Sequence, residues 1–299
     1  MQPLHDRTAA TTDGQGLRAV LWPTDRDLGG FSVRRLLPAA TVRAVGPFVF
    51  FDHLGPARFA PGAGIDVRPH PHIGLATVTY LFAGEILHRD SLGSVQPIEP
   101  GAINWMTAGR GIVHSERTPP AVRAAGHELH ALQLWIALPE AVEETEPSFR
   151  HYAAELIPER VTDEATIRVM VGAAFGLQSP VTTWSPTLYA EVVLQAGAAL
   201  TLPDDIDELA VYVVSGAARL AETELPQQTM AVLDTAPRGA VVATTGSRLV
   251  LIGGQPLGKR TVWWNLVASR KELIEQAKRD WRAGRFPQVP GETEFIPLP

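Results

Sequence analysis

The sequence predicts an all-β protein made of two antiparallel barrels of the sandwich or jelly-roll kind. Short segments that are apolar, or that alternate between apolar and polar residues, recur along the chain at a spacing of roughly eight to twelve residues. The chain's 26 glycines and 25 prolines suit its many turns. The same rhythm occurs in both halves. This predicts two barrels of similar plan, although the halves share no evident residue-level repeat.

The first set of predicted strands lies in the N-terminal half of the chain. Its members are rich in β-branched and aromatic residues or alternate in polarity, and they occupy residues 76–82, 85–90, 102–107, 112–117 and 129–138. Glycine-containing turns separate the first four. We therefore expect an N-terminal barrel over residues 17–148, preceded by a flexible polar leader at residues 1–16.

The second set follows a stretch rich in Glu and Pro, PEAVEETEPSF at 139–149, which suits an exposed crossover. Its predicted strands occupy residues 167–172, 188–194, 208–216, 230–234, 240–245 and 248–254. Together with the C-terminal helix and tail, these strands predict a second barrel domain over residues 149–299.

One helix is predicted near the C-terminus, over residues 269–283. Ser269 and Glu272 have the spacing of a capping box, and Gly284 supplies a stop. Four apolar residues fall on one face of this helix, namely Leu273, Ile274, Ala277 and Trp281. The tail FPQVPGETEFIPLP contains too many prolines for a helix, so we expect an extended arm.

The composition excludes several classes of site. A formal charge of −6, with no basic run longer than a pair, gives no electrostatic footprint for direct nucleic-acid binding. The chain has no cysteine, so a metal must rely on His, Asp or Glu. No apolar window is long enough to cross a membrane, and the start lacks the form of a secretory signal. We therefore expect a cytoplasmic protein without a membrane partner.

The histidines are the most informative feature of the sequence. None of the nine lies beyond residue 151, so any histidine chemistry belongs to the first half. Side chains at positions i and i+2 of a strand project to the same face, so His70 and His72 of the HPH segment can approach one point. The same geometry holds for His114 and Glu116 in HSE.

Two such pairs on neighbouring strands would supply three imidazole nitrogens and one carboxylate. This ligand set suits Fe, Mn, Ni, Cu or Zn, and octahedral coordination would leave two positions open for water, dioxygen or a substrate. Open positions are typical of catalytic rather than structural sites. A lone HxH or HSE segment is more often an ordinary piece of strand. The prediction therefore depends on their joint occurrence, with a proline in the first and a Gly-Arg-Gly turn before the second.

Two further histidines lie in segments close to this set. His88, within HRDS, falls in a predicted strand and is expected to form hydrogen bonds rather than bind the metal. His53, in FFDHLGP, is expected to be a structural partner near the barrel mouth. The alternative for His53 is support of the site from outside its ligand set.

Four segments carry a resemblance to a known family. They are FDHLGP from residue 51, HPHIGLATVTYL from residue 70, GEILHRDSLG from residue 84 and WMTAGRGIVHSER at 105–117. These segments resemble the pirin family, a branch of the cupin superfamily. WMTAGRGIVHSE together with HPH is highly specific, and the likeness extends from near Gly29 to the C-terminal tail.

The resemblance implies a bicupin with one mononuclear divalent metal in the N-terminal barrel. Iron is the ion commonly found, and nickel, manganese, copper and zinc are the alternatives. On the family's pattern the ligands are His70, His72, His114 and Glu116. Most cupins place their glutamate shortly after the HxH pair, whereas residues 73–76 contain none and Glu116 takes that role, as is usual in pirins. The second barrel resembles the degenerate cupin of the family.

The resemblance also implies an activity. Bacterial members are associated with quercetin 2,3-dioxygenase activity, in which dioxygen cleaves a flavonol. The implied partners are thus a small aromatic substrate and dioxygen, with Glu116 as both ligand and base. The predicted pocket residues are Phe51, His53, Ile73, Leu75, Trp105 and Met106.

The alternative function is an iron-containing, redox-sensitive regulator that binds a protein partner without turnover. Regulatory members carry a basic residue immediately after HPH and an acidic one soon after, where this chain has Ile73 and Leu75-Ala76. These apolar residues favour the aromatic substrate. A third alternative is that the metal only rigidifies the barrel, so that its removal lowers the melting temperature without abolishing a reaction.

Overall fold

The computed structural model describes residues 9–10, 16–27, 31–234 and 237–299. His5 and the rest of the predicted leader lie outside the described residues, apart from a two-residue strand and Gly16. The described chain is mostly antiparallel β-structure, as predicted, with two α-helices, α1 (Pro120–Ala125) and α2 (Lys271–Arg282). Two 3-10 turns are present at Glu140–Val142 and Ala154–Leu156. Within the described ranges, no helix combines the length and apolar character needed to cross a membrane.

Every strand predicted from the sequence is present. Further strands occur outside the predicted segments, and the longest of them is the twelve-residue strand Phe48–Phe59. The strands of the first half are β1 (Ala9–Ala10), β2 (Leu17–Leu21), β3 (Thr24–Asp27), β4 (Ser32–Leu37), β5 (Phe48–Phe59), β6 (Asp66–His72), β7 (Leu75–Ala83), β8 (Ile86–Asp90), β9 (Val95–Ile98), β10 (Ile103–Thr107), β11 (Ile112–Arg117), β12 (His127–Ala137) and β13 (Ser148–Tyr152). Those of the second half are β14 (Glu159–Val161), β15 (Ala165–Val171), β16 (Ala173–Ala174), β17 (Leu177–Gln178), β18 (Thr187–Leu194), β19 (Ala199–Thr201), β20 (Glu208–Ser215), β21 (Ala217–Leu220), β22 (Thr223–Pro226), β23 (Met230–Leu233), β24 (Ala240–Ala243), β25 (Ser247–Gly254), β26 (Thr261–Trp263) and β27 (Leu266–Ala268).

The chain forms two compact units. Unit I contains residues 35–48, residues 156–256 and the described part of residues 1–24. Its main sheets are an eight-stranded one of order β1-β2-β23-β20-β25-β18-β15-β14 and a four-stranded one of order β19-β24-β21-β22. Alternate apolar side chains of these strands form a single core that includes Val192, Val211 and Leu251.

Unit II contains residues 25–34, 49–155 and 257–299. Its main sheets are a seven-stranded one of order β13-β10-β7-β12-β5-β4-β3 and a four-stranded one of order β6-β11-β8-β9. Buried apolar residues from several of these strands, among them Leu81 and Ile98, pack into a core. The HPH and HSE segments both lie in the four-stranded sheet, on the adjacent strands β6 and β11.

These units differ from the contiguous domains that the strand rhythm predicts. Unit II continues past residue 148 to Glu155, and it also includes residues 257–299, which the rhythm assigns to the second domain. Apolar packing explains the difference. Ile73, directly after HPH, forms a parallel bridge with Leu266 and packs in one buried cluster with Ile274 of α2. The C-terminal helix is therefore part of the unit that carries the histidine cluster.

The helix α2 lies within the predicted segment, but the predicted capping box is wrong. Arg270 occupies the N-cap position and makes no side-chain capping bond. The hydroxyl of Ser269 instead donates to Oε1 of Glu143 at 2.6 Å, and its backbone N–H donates to Oε2 at 2.8 Å. Glu143 is buried, so this pair of bonds satisfies its carboxylate and holds Ser269 one residue before the N-cap position.

Gly74 joins the HPH segment to β7 and should not tolerate a side chain. Its φ is +66°, and a Cβ there would lie 2.1 Å from the carbonyl oxygen of Val267. We expect Gly74→Ala to lower the free energy of unfolding by about 3 kcal/mol or more, because left-handed strain adds to a backbone clash. The matched control is Gly93→Ala, with φ +89° and open space around it. It should cost only about 1 kcal/mol. If urea unfolding shows that both variants lose the same free energy of unfolding, the clash at Gly74 is contradicted.

Candidate metal centre

The four predicted ligands lie on two paired strands. Strand β6 carries His70 and His72, and β11 carries His114 and Glu116. The strands run antiparallel with His114 opposite His70, and their register shifts between His114 and Glu116. All four residues are buried, and none is more than 8% exposed. Each pair therefore projects from one face of its strand into the interior.

The three imidazole rings converge. Their centroids are 4.5 to 5.0 Å apart, and one nitrogen from each lies within 4.8 Å of the others. The closest approach, 3.1 Å, joins Nε2 of His72 to Nε2 of His114. A second group of His88, His114 and Glu116 also has its ligand atoms within 4.8 Å of one another. Because His114 belongs to both groups, they form one cluster that holds the predicted ligands and His88.

Backbone carbonyls orient two of the rings. Nδ1 of His70 donates to the carbonyl oxygen of Arg68 at 2.9 Å, and Nδ1 of His72 donates to that of Asn265 at 2.8 Å. A carbonyl can only accept, so each Nδ1 carries the proton and each neutral ring turns the lone pair of Nε2 into the cluster. Metal-binding histidines are commonly fixed in this way.

Burial keeps these histidines neutral. It lowers the pKa of His70 to about 4, and it lowers the pKa values of His72 and His114 well below the ordinary value, with the neighbouring imidazoles adding to the effect. Burial also raises the pKa of Glu116, although the hydroxyl of Thr79, 2.7 Å from Oε1, works against this. Three neutral nitrogen donors and a carboxyl removed from water are a donor set that a divalent cation fits, since the cation would favour the ionised carboxylate.

His88 makes the hydrogen bonds predicted for it. Its Nε2 lies 3.1 Å from Oδ2 of Asp90, and its Nδ1 lies 3.4 Å from Nδ1 of His114. Phe149 stacks on the ring at 4.4 Å. Oδ1 of Asp90 accepts the backbone N–H groups of Leu92 and Ser94. Although burial works to raise the pKa of Asp90, the bonds from His88 and Ser94 lower it overall. The ionised Asp90 thus orients His88, so that Nδ1 of His88 can accept a hydrogen bond from the N–H at Nδ1 of His114.

Removing the negative charge of Asp90 should weaken metal binding. We expect Asp90→Asn to lower metal affinity about 10- to 100-fold, since partners behind the ligands typically contribute that much. The measurement is a competition titration of the metal-free protein with a chelator of known affinity. Glu99→Gln changes an exposed carboxylate and should have no effect. An affinity unaltered by Asp90→Asn would show that His114 needs no support from this side.

The predicted pocket residues are all buried, with exposures no higher than 6%. His53 pairs with His130, and their Nε2 atoms are 2.7 Å apart. Burial and the neighbouring His130 lower the pKa of His53 to about 3. Ile73 borders a small cavity of about 110 Å³ next to Gly74 and Val267.

A larger cavity, of about 650 Å³, lies elsewhere in unit II. It is bordered by Pro69 and Val113, the chain neighbours of His70 and His114, and by C-terminal residues that include Trp281, Phe286 and Phe295. The other predicted pocket residues, Phe51, His53, Leu75, Trp105 and Met106, line neither of these two cavities. Their role as a substrate pocket stays a prediction.

Comparison with known proteins places the chain among relatives along most of its length. A family model described as Pirin matches residues 30–136, and one described as Pirin C-terminal cupin domain matches residues 189–287. A pirin-like protein of Caulobacter vibrioides is 48% identical over 282 residues, which cover 92% of this chain and 96% of that protein.

Solved structures give the same result. The crystal structure of quercetin 2,3-dioxygenase from Acinetobacter baumannii matches with a TM-score of 0.88 and 33% identity, covering 96% of both chains. A second quercetin 2,3-dioxygenase structure from that organism matches with a TM-score of 0.85 and 27% identity, covering 92% of this chain and 99% of that one.

Proposed function

The chain belongs to the pirin family of cupins, and from this premise we propose that it is a mononuclear metal-dependent dioxygenase that cleaves a flavonol such as quercetin. The observation that carries the proposal is the buried cluster of three neutral imidazoles and one carboxyl group. The similarity to quercetin 2,3-dioxygenases of Acinetobacter baumannii supports the choice of reaction and of an aromatic substrate.

His70, His72, His114 and Glu116 would hold the ion. A divalent transition metal bound there would supply Lewis acidity, and a redox-active ion such as iron would also supply access to dioxygen. Iron is our first expectation, and the same donors accept nickel, manganese, copper or zinc. Asn265 and Arg68 keep two of the imidazoles in the tautomer that binding requires.

In the proposed reaction Glu116 takes a proton from the substrate hydroxyl. Burial raises the pKa of Glu116 in the metal-free protein, whereas a bound cation would favour the ionised carboxylate, which is the form that accepts a proton. The hydroxyl of Thr79 lies 2.7 Å from Oε1 of Glu116 and 2.8 Å from Oε1 of Gln133. When Glu116 is ionised, Thr79 can donate to it. When Glu116 is protonated, it can donate to Thr79, which turns its own proton to Gln133. Both protonation states are therefore hydrogen-bonded.

The reaction is tested with quercetin and reconstituted protein. We expect ring cleavage, followed as loss of flavonol absorbance and uptake of dioxygen, only when metal and air are both present. Anaerobic and chelator-treated samples are the controls. Metal binding without turnover would contradict the dioxygenase and favour the redox-sensitive regulator, which otherwise stays a prediction.

The base is tested separately with Glu116→Gln. At equal metal content we expect kcat to fall about 100-fold or more, as is usual when a general base is lost. The companion variant Thr79→Val leaves the carboxylate in place and should lower kcat less. Unchanged turnover of Glu116→Gln at full metal occupancy would remove the role as base.

A further inference from the structure

The outer side of β11 contacts the last residues of the chain. His114 and Glu116 face the cluster, so alternation turns Ser115 and Arg117 to the opposite side. On that side, the carboxylate of Glu292 binds both residues. Oε1 of Glu292 accepts the Ser115 hydroxyl at 2.8 Å and Nε of Arg117 at 3.0 Å, and Oε2 accepts Nη2 of Arg117 at 2.8 Å. Glu292 thus holds the two residues that flank Glu116 in the chain.

The same segment is also bonded to β6. The backbone N–H of Ile296 donates to the carbonyl oxygen of Pro69 at 2.8 Å, one residue before His70. The indole N–H of Trp281 in α2 donates to the carbonyl oxygen of Ile296 at 3.0 Å, which anchors the segment to the helix. Residues 285–299, which we call the C-terminal strap, therefore contact both strands that carry the four ligands.

The bond between the strap and β11 is shielded from water. The side chain of Glu292 is 11% exposed and that of Arg117 is 24% exposed. Arg117 also donates to Glu294 at 2.9 Å and to Asp66 at 3.2 Å, but those carboxylates are 56% and 46% exposed. A two-point contact between guanidinium and a shielded carboxylate is stronger and more directional than a surface ion pair. Glu292 is therefore the residue that fixes this part of β11.

We propose that Glu292 is a positioning residue for the metal centre, which it serves by holding β11 so that His114 and Glu116 reach the ion together. The ladder between β6 and β11 is irregular at this point, because three residue steps of β6, from Val67 to His70, lie opposite the two steps from Glu116 to His114. The β6 side therefore holds β11 less regularly here, and the contact with Glu292 adds a second constraint. The proposal rests on the proposed metal centre and does not require the dioxygenase reaction.

Cobalt(II) is the probe, because its visible absorption reports coordination and its titration reports affinity. We expect Glu292→Gln to weaken cobalt binding about tenfold and to shift the absorption bands, in keeping with the effect of residues behind metal ligands. Glu275→Gln, an exposed carboxylate on α2 paired with Lys278, should change neither. The conservative variant Glu292→Asp keeps a carboxylate at this position and should retain more of the cobalt affinity than Glu292→Gln.

A purely structural strap would behave differently. The proposal is overturned if Glu292→Gln lowers the melting temperature of the metal-free protein but binds cobalt with unchanged affinity and spectrum. Failure of the unaltered protein to bind cobalt would overturn the metal centre and this proposal together. Cobalt binding that weakens in Glu292→Gln would support the positioning role even where quercetin is not cleaved.

Discussion

The His72→Ala variant is expected to lose metal binding by a factor of about 100 or more. Its Nε2 lies 3.1 Å from that of His114, and its Nδ1 is fixed by the carbonyl oxygen of Asn265, so the truncation removes one of the three converging imidazoles. Four protein ligands hold a zinc ion with about 10–16 kcal/mol, which is roughly 3 kcal/mol for each. A loss of that size corresponds to about two orders of magnitude in affinity.

The matched control is His151→Ala. His151 is exposed, lies on β13 and hydrogen-bonds Asn104, so its loss should leave metal affinity unchanged. Chelator competition at neutral pH measures both variants. Affinity retained in His72→Ala would show that the ion uses the second group, His88, His114 and Glu116, in place of the predicted set.

The ligands could be predicted from the sequence because the geometry that defines them is local. Side chains two positions apart in a strand share a face whatever the strand pairs with, so HPH and HSE each define a pair. The pairing of β6 with β11 brings together residues 42 apart in the chain, such as His72 and His114, and no local sequence pattern predicts it. Only the joint occurrence of two rare pairs suggested that they meet.

The residues that support the ligands were harder to predict. Asn265 contacts His72 across 193 positions and Glu292 contacts Ser115 across 177, and neither lies in a recognisable motif. His88 and Asp90 are different, because HRD on a predicted strand places both on one face and is a signal that the sequence does contain.

The strands and domains show the same division between local and distant information. Alternation and β-branched content predicted buried strands such as β7 and β12. The twelve-residue β5 was not predicted, although its first half is buried, and β3 (Thr24–Asp27) is polar and exposed throughout, so it has no alternation to detect. The rhythm of strands also says nothing about which sheet a terminal segment covers. That choice depends on distant apolar contacts such as Ile73 with Leu266.

The metal-free protein is expected to lose stability steeply as the pH falls below about 6.5. Burial lowers the folded-state pKa of His53 to about 3 and of His70 to about 4, and it lowers those of His72 and His114 well below the ordinary value. The unfolded chain takes up these protons near pH 6.5, while the folded chain stays neutral. Acid therefore favours unfolding, and the stability is fully present only above the unfolded-state pKa.

The slope of the free energy of unfolding against pH gives the number of protons that the chain takes up when it unfolds. Each such histidine removes about 1.4 kcal/mol per pH unit below pH 6.5, so the four together remove up to about 5 kcal/mol between pH 7.5 and 5.5. The raised pKa of Glu116 acts in the opposite direction and offsets part of this. Such a loss is comparable with the whole stability of many domains. Urea unfolding of chelator-treated protein at several pH values measures the slope.

Single variants separate the contributions of individual histidines to the slope of the unfolding free energy against pH. His53 lies outside the predicted ligand set, so His53→Gln should make the slope shallower by about 1.4 kcal/mol per pH unit. His151→Gln, which replaces an exposed histidine, should leave the slope unchanged. Bound metal occupies the lone pairs of His70, His72 and His114, so the metal-loaded protein should stay folded at a lower pH because protons must first displace the ion. Metal-free stability that is flat from pH 7.5 to 5.5 would mean that these histidines take up protons equally in the folded and unfolded chain, which would contradict the low pKa values that burial gives them.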